Sequence, residues 1–364
     1  WNASMCDHGY NATPVWSTTA HLLLHNTPLN PQNFEWLGRI DVLFFVGMLF
    51  LLCWGFGWRI TGLAVIVLCT FYPEKRWWAG QAFMRWEWMF FLAASLVLCK
   101  KSHYLLAGTC LGLCIAFRIF PAIVLLGCLL VSLILITHPK STSWKSAAIK
   151  NALSFAIGSV LSLIVALSIS QLFSPKNQDW PSFTNKLTQH SEKPWMDHMG
   201  LGVVLAWHPL EAGRVLAPYD QDIEPARAWV DTKQHRMEHT RWLWLILVSG
   251  FVVLLLKRLG KLFNSIPPAS PLTLGLLIGI ASIGLSPSIA PYYYVFIIFL
   301  PLLNPHSLPL WIGWFSLCIF TIFISLFNQL PNNTFWLDEQ YVLISLATLL
   351  MTGYALWHAA ALRA

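Results

Sequence analysis

Long apolar runs cover most of this chain and leave few charges to hold a surface in water. Hydrophobic residues make up 56% of the sequence and charged residues only 11%, whereas a soluble domain has about 25% charged residues. A bilayer is the solvent that suits such a composition. We therefore predict an all-α, polytopic integral membrane helical bundle.

The apolar runs predict about 11 membrane spans, because a spanning helix needs about 20 apolar residues and shorter ones are tolerated when tilted or packed inside a bundle. The second, fourth and ninth are short enough to be half-embedded instead. The predicted spans cover residues 40–58, 60–72, 83–99, 104–117, 119–137, 148–173, 242–256, 272–285, 292–303, 308–327 and 341–358.

The spans and the loops between them divide the chain into four predicted regions. Residues 1–39 are an outer N-terminal segment, 40–173 a first transmembrane bundle and 242–364 a second one. The polar stretch 174–241 is too rich in Trp, Met and Leu to be a disordered linker. We predict that it forms a small aromatic lid or a re-entrant helix pair over the bundle, with an amphipathic piece at 199–207 lying at the interface.

The orientation of the bundle follows from the positions of Lys and Arg in short loops, which favour the cytoplasmic side. Alternate loops contain the cations Arg59, Lys100, Lys101, Lys140, Lys145, Lys150, Lys257, Arg258, Lys261 and Arg363. With these loops inside, the C-terminus is cytoplasmic, the 174–241 lid is periplasmic, and all 16 carboxylates fall on the outer side. Proton transfer and metal binding draw on carboxylates, so we expect any chemistry at the outer face of the membrane.

Several classes of protein are excluded by what the chain lacks. It has no glycine-rich phosphate loop after a strand, no paired Cys-x-x-Cys motif and no basic stretch interleaved with surface aromatics. A nucleotide-dependent cytoplasmic enzyme and a nucleic-acid partner are therefore not expected. Seven of the eight cysteines lie inside apolar runs, which argues against a disulfide framework.

Ionisable residues within or beside apolar spans are costly and are candidates for function. Arg118 lies between apolar neighbours at a helix break before Pro121. It could grip a lipid phosphate through its guanidinium fork, or it could be a snorkelling arginine at a helix end. Arg85 and Glu87 enter an apolar run from a charged, Trp-rich hairpin. They are either functional or part of an interfacial girdle of salt bridges.

Histidines in the predicted lid are further candidates. His190 and the Asp197-His198 pair could contact substrate hydroxyls or phosphate, or could cap a lid helix. The His-x-x-x-His pairs 21/25 and 235/239 are weak metal signals because neither has a clear third ligand. No metal site is assigned, and a divalent cation is the only cofactor considered.

Five motifs together resemble a known family. They look like bacterial polytopic proteins related to the polyprenyl-phosphate-dependent mannosyltransferases, which are C-type glycosyltransferases of the GT-C superfamily. The likeness spans nearly the whole chain. The motifs are Gly-Tyr-Asn-Ala-Thr-Pro at 9–14, Gly-Gln-Ala-Phe-Met-Arg-Trp-Glu-Trp at 80–88, Ala-Phe-Arg-Ile-Phe-Pro at 116–121, His-Met-Gly-Leu at 198–201 and Pro-Tyr-Tyr-Tyr at 291–294.

The resemblance implies inverting transfer of a sugar from a polyprenyl-phosphate donor that enters from the outer leaflet. Arg118 would hold the donor phosphate, and Arg85 and Glu87 would line the mouth of the pocket. In the family an outer-loop aspartate, upstream of the region that matches 11–14, is the general base. Asp7 is then the best catalytic candidate within this chain, and Asp41 is the next. The alternative is a non-catalytic accessory subunit that has kept a transferase fold inside a larger membrane protein complex.

Overall fold

The computed structural model describes residues 12–28, 30–71, 83–137, 142–174, 179–192, 198–216, 223–265, 271–328 and 338–361. Within these ranges the chain is helical, and the only extended pairing is an isolated antiparallel bridge between Met199 and Ile289. The all-α prediction is thus confirmed for the described residues. Their α-helices are α1 Pro14–Leu24, α2 Pro31–Phe56, α3 Trp58–Thr70, α4 Glu87–Lys100, α5 Tyr104–Phe117, α6 Ile123–Thr137, α7 Thr142–Phe173, α8 Trp180–Glu192, α9 Leu201–Leu205, α10 Gly213–Leu216, α11 Ile223–Ser265, α12 Pro271–Ser282, α13 Leu308–Asn328 and α14 Glu339–Ala361.

Five helices in the described ranges are long and apolar enough to cross a membrane. They are Pro31–Phe56, Ser146–Phe173, Ala228–Arg258, Leu308–Phe327 and Glu339–His358. In the third of them only 6% of the most apolar window is buried inside the protein. A long apolar helix with so much of its surface uncovered suits contact with lipid rather than water. These features fit a membrane protein, as predicted.

Shorter helices occupy several of the other predicted spans. In the described part of the chain, four segments are 3₁₀-helical: Phe120–Ala122, Pro209–Glu211, Ile283–Leu285 and Pro291–Leu303. The last has 13 residues and a proline within it, and all but its second and third residues are buried. Runs of 3₁₀-helix longer than three or four residues are uncommon. Tertiary packing, rather than local preference, therefore holds this segment in its form.

One helix joins the predicted lid to the predicted second bundle. α11 runs without a break through 43 residues, and its first part lies in the 174–241 region. Its N-terminal half is polar and its C-terminal half apolar, so hydropathy alone marks only the second half. The lid and the following span therefore share a single rigid element.

Contacts divide the chain into two compact units. Unit 1 comprises the described residues within Trp1–Thr61, Arg76–Ser191 and Ala269–Leu276, and unit 2 those within Gly62–Lys75, Glu192–Pro268 and Leu277–Ala364. In unit 1, α5 packs between α4 and α7, and α4 also packs on α2. In unit 2, α9 packs on α11 and α14, and α13 packs on α14.

Glycines allow α5 and α7 to approach each other closely. Gly108 and Gly112 form a Gly-x-x-x-Gly motif, which lets the backbones of membrane helices come into contact. A Cβ added at Gly108 would overlap the carbonyl oxygen of Phe155, and one added at Gly158 would overlap that of Leu105. This pair of helices therefore has no room for a side chain at its point of closest approach.

We expect Gly108→Ala to destabilise the protein by about 1–3 kcal/mol, the usual cost of overpacking. The matched control is Gly250→Ala on α11, where no atom lies within 4 Å of the added Cβ. Thermal unfolding of the purified protein in detergent would measure both. A Gly108→Ala protein that melts at the wild-type temperature would contradict the close packing of α5 on α7.

Candidate functional site

Three of the sequence motifs come together in unit 1. Thr13 caps α1, and its hydroxyl accepts a hydrogen bond from the Trp16 amide at 3.2 Å. The same hydroxyl donates to the carbonyl of Ala116 at 2.8 Å, just after which α5 ends. The Trp16 indole N–H donates to the carbonyl of Met84 at 2.6 Å. The 9–14, 80–88 and 116–121 motifs are thus joined through the backbone of the second and third.

Met84 holds an unusual backbone conformation at this junction. Its φ is +48°, in the left-handed region that residues other than glycine rarely adopt and that costs about 1–3 kcal/mol. The Met84 carbonyl accepts from the Trp16 indole and, at 3.2 Å, from Nη2 of Arg118. Two donors from different elements therefore stabilise a strained residue, as is common at functional sites.

Asp41 ties α2 to the segment that leads into α4. It is fully buried, and its Oδ1 accepts hydrogen bonds from the amides of Arg85 at 2.8 Å and Trp86 at 3.1 Å. Its Oδ2 is buried with no hydrogen-bond partner in the described part of the chain. Asp41 thus satisfies the backbone amides of the two residues that lead into α4.

Glu87 and Arg118 form a buried ion pair. Nε of Arg118 lies 3.1 Å from Oε1 of Glu87; the glutamate side chain is fully buried and the arginine side chain is 15% exposed. Arg118 follows the last turn of α5 in an extended conformation, with its amide bonded to the carbonyl of Cys114 at 3.0 Å. A carboxylate removed from water needs a nearby opposite charge. Arg118 supplies that charge to Glu87 and also attracts Asp41.

A largely apolar cavity of about 740 Å³ lies beside this cluster. Thr13, Ala116 and Ile119 form part of its wall, and α7 and Trp180 form the rest. Ala116 and Ile119 stand on either side of Arg118 in the sequence. A second cavity of about 440 Å³ shares the α5 and α7 walls. Unit 1 therefore has apolar space lined by the sequence neighbours of Arg118, while Arg118 itself is not one of the lining residues.

The predicted site residues have different outcomes. Asp41, Arg85, Glu87 and Arg118 come together in unit 1, as described above. His198 belongs to unit 2, where its Nδ1 lies 2.6 Å from the hydroxyl of Ser288. Asp7 and the side chain of His190 lie outside the described residues. The catalytic and binding roles assigned to all these residues stay predictions.

The structure shows the surroundings of two of the histidine motifs. The N-cap of α9 is Gly200, which has no side chain to cap the helix. His235 and His239 have ring centroids 4.0 Å apart. Among the described residues, no three His, Cys, Asp or Glu side chains are grouped so that they could hold a metal ion.

Unit 2 contains a buried polar cluster that the sequence did not reveal. Lys233 is only 5% exposed and donates to the carbonyl of Val203 at 3.3 Å. Asp338 accepts from the Gly213 amide at 2.8 Å and the Trp229 indole at 3.2 Å. The sequence could have indicated a buried role for Asp338, because this residue lies just before an apolar helix. Lys233 has no such signal, since it is one of many charges in the polar half of α11.

No protein-family model, curated protein or solved structure matches this chain. The comparisons therefore neither support nor oppose membership of the GT-C superfamily. The contacts around Arg118 are the structural features that bear on function.

We expect Asp41→Ala to destabilise the protein by about 2–6 kcal/mol, since one buried and one partly buried amide lose their acceptor at about 1–3 kcal/mol each. Asp41→Asn keeps one acceptor oxygen and should be milder. Glu35→Ala, an exposed position on the same helix, is the control and should change stability by less than about 0.5 kcal/mol. Thermal unfolding in detergent would measure the stability of the three variants. Equal losses of stability in Asp41→Ala and Glu35→Ala would contradict the importance of the hydrogen bonds from the Arg85 and Trp86 amides to Asp41.

Proposed function

We propose that this chain is a membrane glycosyltransferase-like protein that uses a polyprenyl-phosphate-linked sugar at the outer face of the cytoplasmic membrane. The observation that carries the proposal is Arg118, a partly exposed guanidinium whose sequence neighbours Ala116 and Ile119 line an apolar cavity of about 740 Å³. A lipid phosphate presents a dianionic or monoanionic head and a long hydrocarbon chain. A fixed cation next to apolar space matches both parts of that ligand.

The contacts of Arg118 support a binding role because they fix its direction. Glu87 holds Nε and the carbonyl of Met84 holds Nη2. A guanidinium held in this way loses little side-chain freedom when an anion arrives, so less of the binding energy is lost to ordering. A lysine at this position would have no planar guanidinium, so the same two contacts would not fix its direction.

The proposed reaction is an inverting transfer. The acceptor hydroxyl oxygen forms a bond to the anomeric carbon of the donor sugar while the bond from that carbon to the phosphate oxygen breaks. The lipid phosphate leaves with the electron pair, and the hydroxyl proton passes to a carboxylate. Asp7 is the proposed base. Arg118 would stabilise the charge that grows on the leaving phosphate.

A second candidate function is that of an accessory subunit in a larger membrane complex. Its support is that Asp41 and Glu87 are both fully buried and each has an internal partner. A scaffold requires only that such charges be paired inside the fold, whereas a transferase also requires a carboxylate that reaches the acceptor.

The proposal includes the finer topology, with about 11 spans and the C-terminus in the cytoplasm. We expect a peptide tag fused after Ala364 to be inaccessible to an antibody in intact cells and accessible once the cytoplasmic membrane is permeabilised. The permeabilised sample is the control for a tag that is merely hidden. Labelling of the tag in intact cells would overturn this orientation.

The role of Arg118 is tested in a Glu87→Gln background, because Arg118→Gln alone would leave a buried carboxylate without its counter-charge. We expect the Arg118→Gln/Glu87→Gln protein to bind polyprenyl phosphate roughly 10- to 100-fold more weakly than Glu87→Gln alone, the effect of losing charged hydrogen bonds. Native mass spectrometry of protein extracted gently from its own membrane would count the retained lipid.

The control for this experiment is Arg39→Gln, an arginine that stacks on Trp36 and should leave lipid retention unchanged. Equal retention by the double variant and Glu87→Gln would refute the phosphate contact. A wild-type protein that carries a stoichiometric protein partner and no lipid phosphate would favour the accessory subunit.

A further inference from the structure

One end of unit 1 carries three cations that lie over aromatic rings. They come from the start of α3 and the end of α4, and the rings come from the end of α2 and the start of α3. We call this set the cationic collar. Its pairs are Lys100 Nζ at 3.9 Å from the ring centroid of Phe56, Lys101 Nζ at 5.4 Å from that of Trp54, and Arg59 Cζ at 5.4 Å from that of Trp58.

Among the described residues, the collar has no internal anion. The sequence has no Asp or Glu in residues 42–73 or 88–178, which include all of α3 and all of α4 except its first residue, Glu87, at the opposite end of that helix from Lys100. Within the described part of the chain, no carboxylate forms an ion pair with Arg59, Lys100 or Lys101. Lys100 and Lys101 are also adjacent and repel each other. An anion from outside the protein would relieve that repulsion and balance the three charges.

The position of the collar along α2 is that of a membrane interface. Trp36 and Trp54 are 18 positions apart in this helix, so they are separated by about 27 Å along its axis. This length is close to the hydrocarbon thickness of a bilayer, about 30 Å. Both rings are more than half exposed, at 64% and 52%. Exposed tryptophans at such a spacing mark the two levels of the lipid headgroups.

We propose that the cationic collar is a binding site for the headgroup of an anionic phospholipid in the leaflet at this end of unit 1. The cations would contact the headgroup phosphate, and the exposed rings of Trp54 and Trp58 would lie against the upper part of the acyl chains. The rings fit a lipid rather than a soluble phosphate, because a soluble ion leaves them in water. This site is separate from Arg118 and does not depend on the proposed transferase activity.

The test compares lipid binding to the full-length protein after its native lipids have been removed. Native mass spectrometry would follow the titration of phosphatidylglycerol and, in parallel, of phosphatidylcholine. We expect the wild type to prefer phosphatidylglycerol. Lys100→Gln/Lys101→Gln should lower its affinity for phosphatidylglycerol by about 30-fold, since each cation near an anionic headgroup contributes roughly fivefold. Binding of phosphatidylcholine should be unchanged.

Two further variants make the test specific. Lys100→Arg/Lys101→Arg keeps both charges and should retain the preference, which separates loss of charge from loss of fold. Arg39→Gln/Lys186→Gln removes two cations elsewhere in unit 1 and should also retain it. The proposal is overturned if the wild type binds both lipids equally, if Lys100→Gln/Lys101→Gln binds like the wild type, if the arginine variant loses the preference, or if the control loses as much affinity as the collar variant. Displacement of phosphatidylglycerol by millimolar glycerol phosphate would overturn the choice of a membrane lipid.

Discussion

The ion pair between Glu87 and Arg118 is the contact on which the rest of unit 1 depends. Apolar packing is non-directional, so it brings helices together without fixing how far one slides along another. A buried carboxylate is different, because it tolerates only arrangements that keep a cation beside it. Glu87 begins α4 and Arg118 follows α5, so the pair sets the register of these two helices.

Asp41 extends the same constraint to α2, since its carboxylate is placed where it accepts from the amides of Arg85 and Trp86. Thr13 then joins α1 to the end of α5 through the carbonyl of Ala116. Three helix ends and the interior of α2 meet at these polar contacts, and the glycines of α5 allow α7 to pack against them. The strained conformation of Met84 is held by the same contacts. Geometry at the candidate site is therefore a by-product of how the helices are aligned.

The sequence was informative about this site where charge was involved. Asp41, Arg85, Glu87 and Arg118 could be singled out because a charge in or beside an apolar run is costly, and the structure brings them into one cluster. Thr13 and Met84 could not, because their contacts use backbone carbonyls, which every residue has. The left-handed backbone conformation of Met84 could not be predicted from the sequence either. Hydropathy had a similar limit in α11, where it identifies the apolar half as a span and does not predict that the polar half continues the same helix.

The long 3₁₀-helix at Pro291–Leu303 shows why the number of residues in a segment does not give its length in this chain. A 3₁₀-helix rises about 2.0 Å per residue instead of 1.5 Å. Its 13 residues therefore extend about 26 Å, the height that about 17 residues of α-helix would reach. A segment with too few residues for an α-helical span thus has a length equal to most of the thickness of a hydrocarbon core.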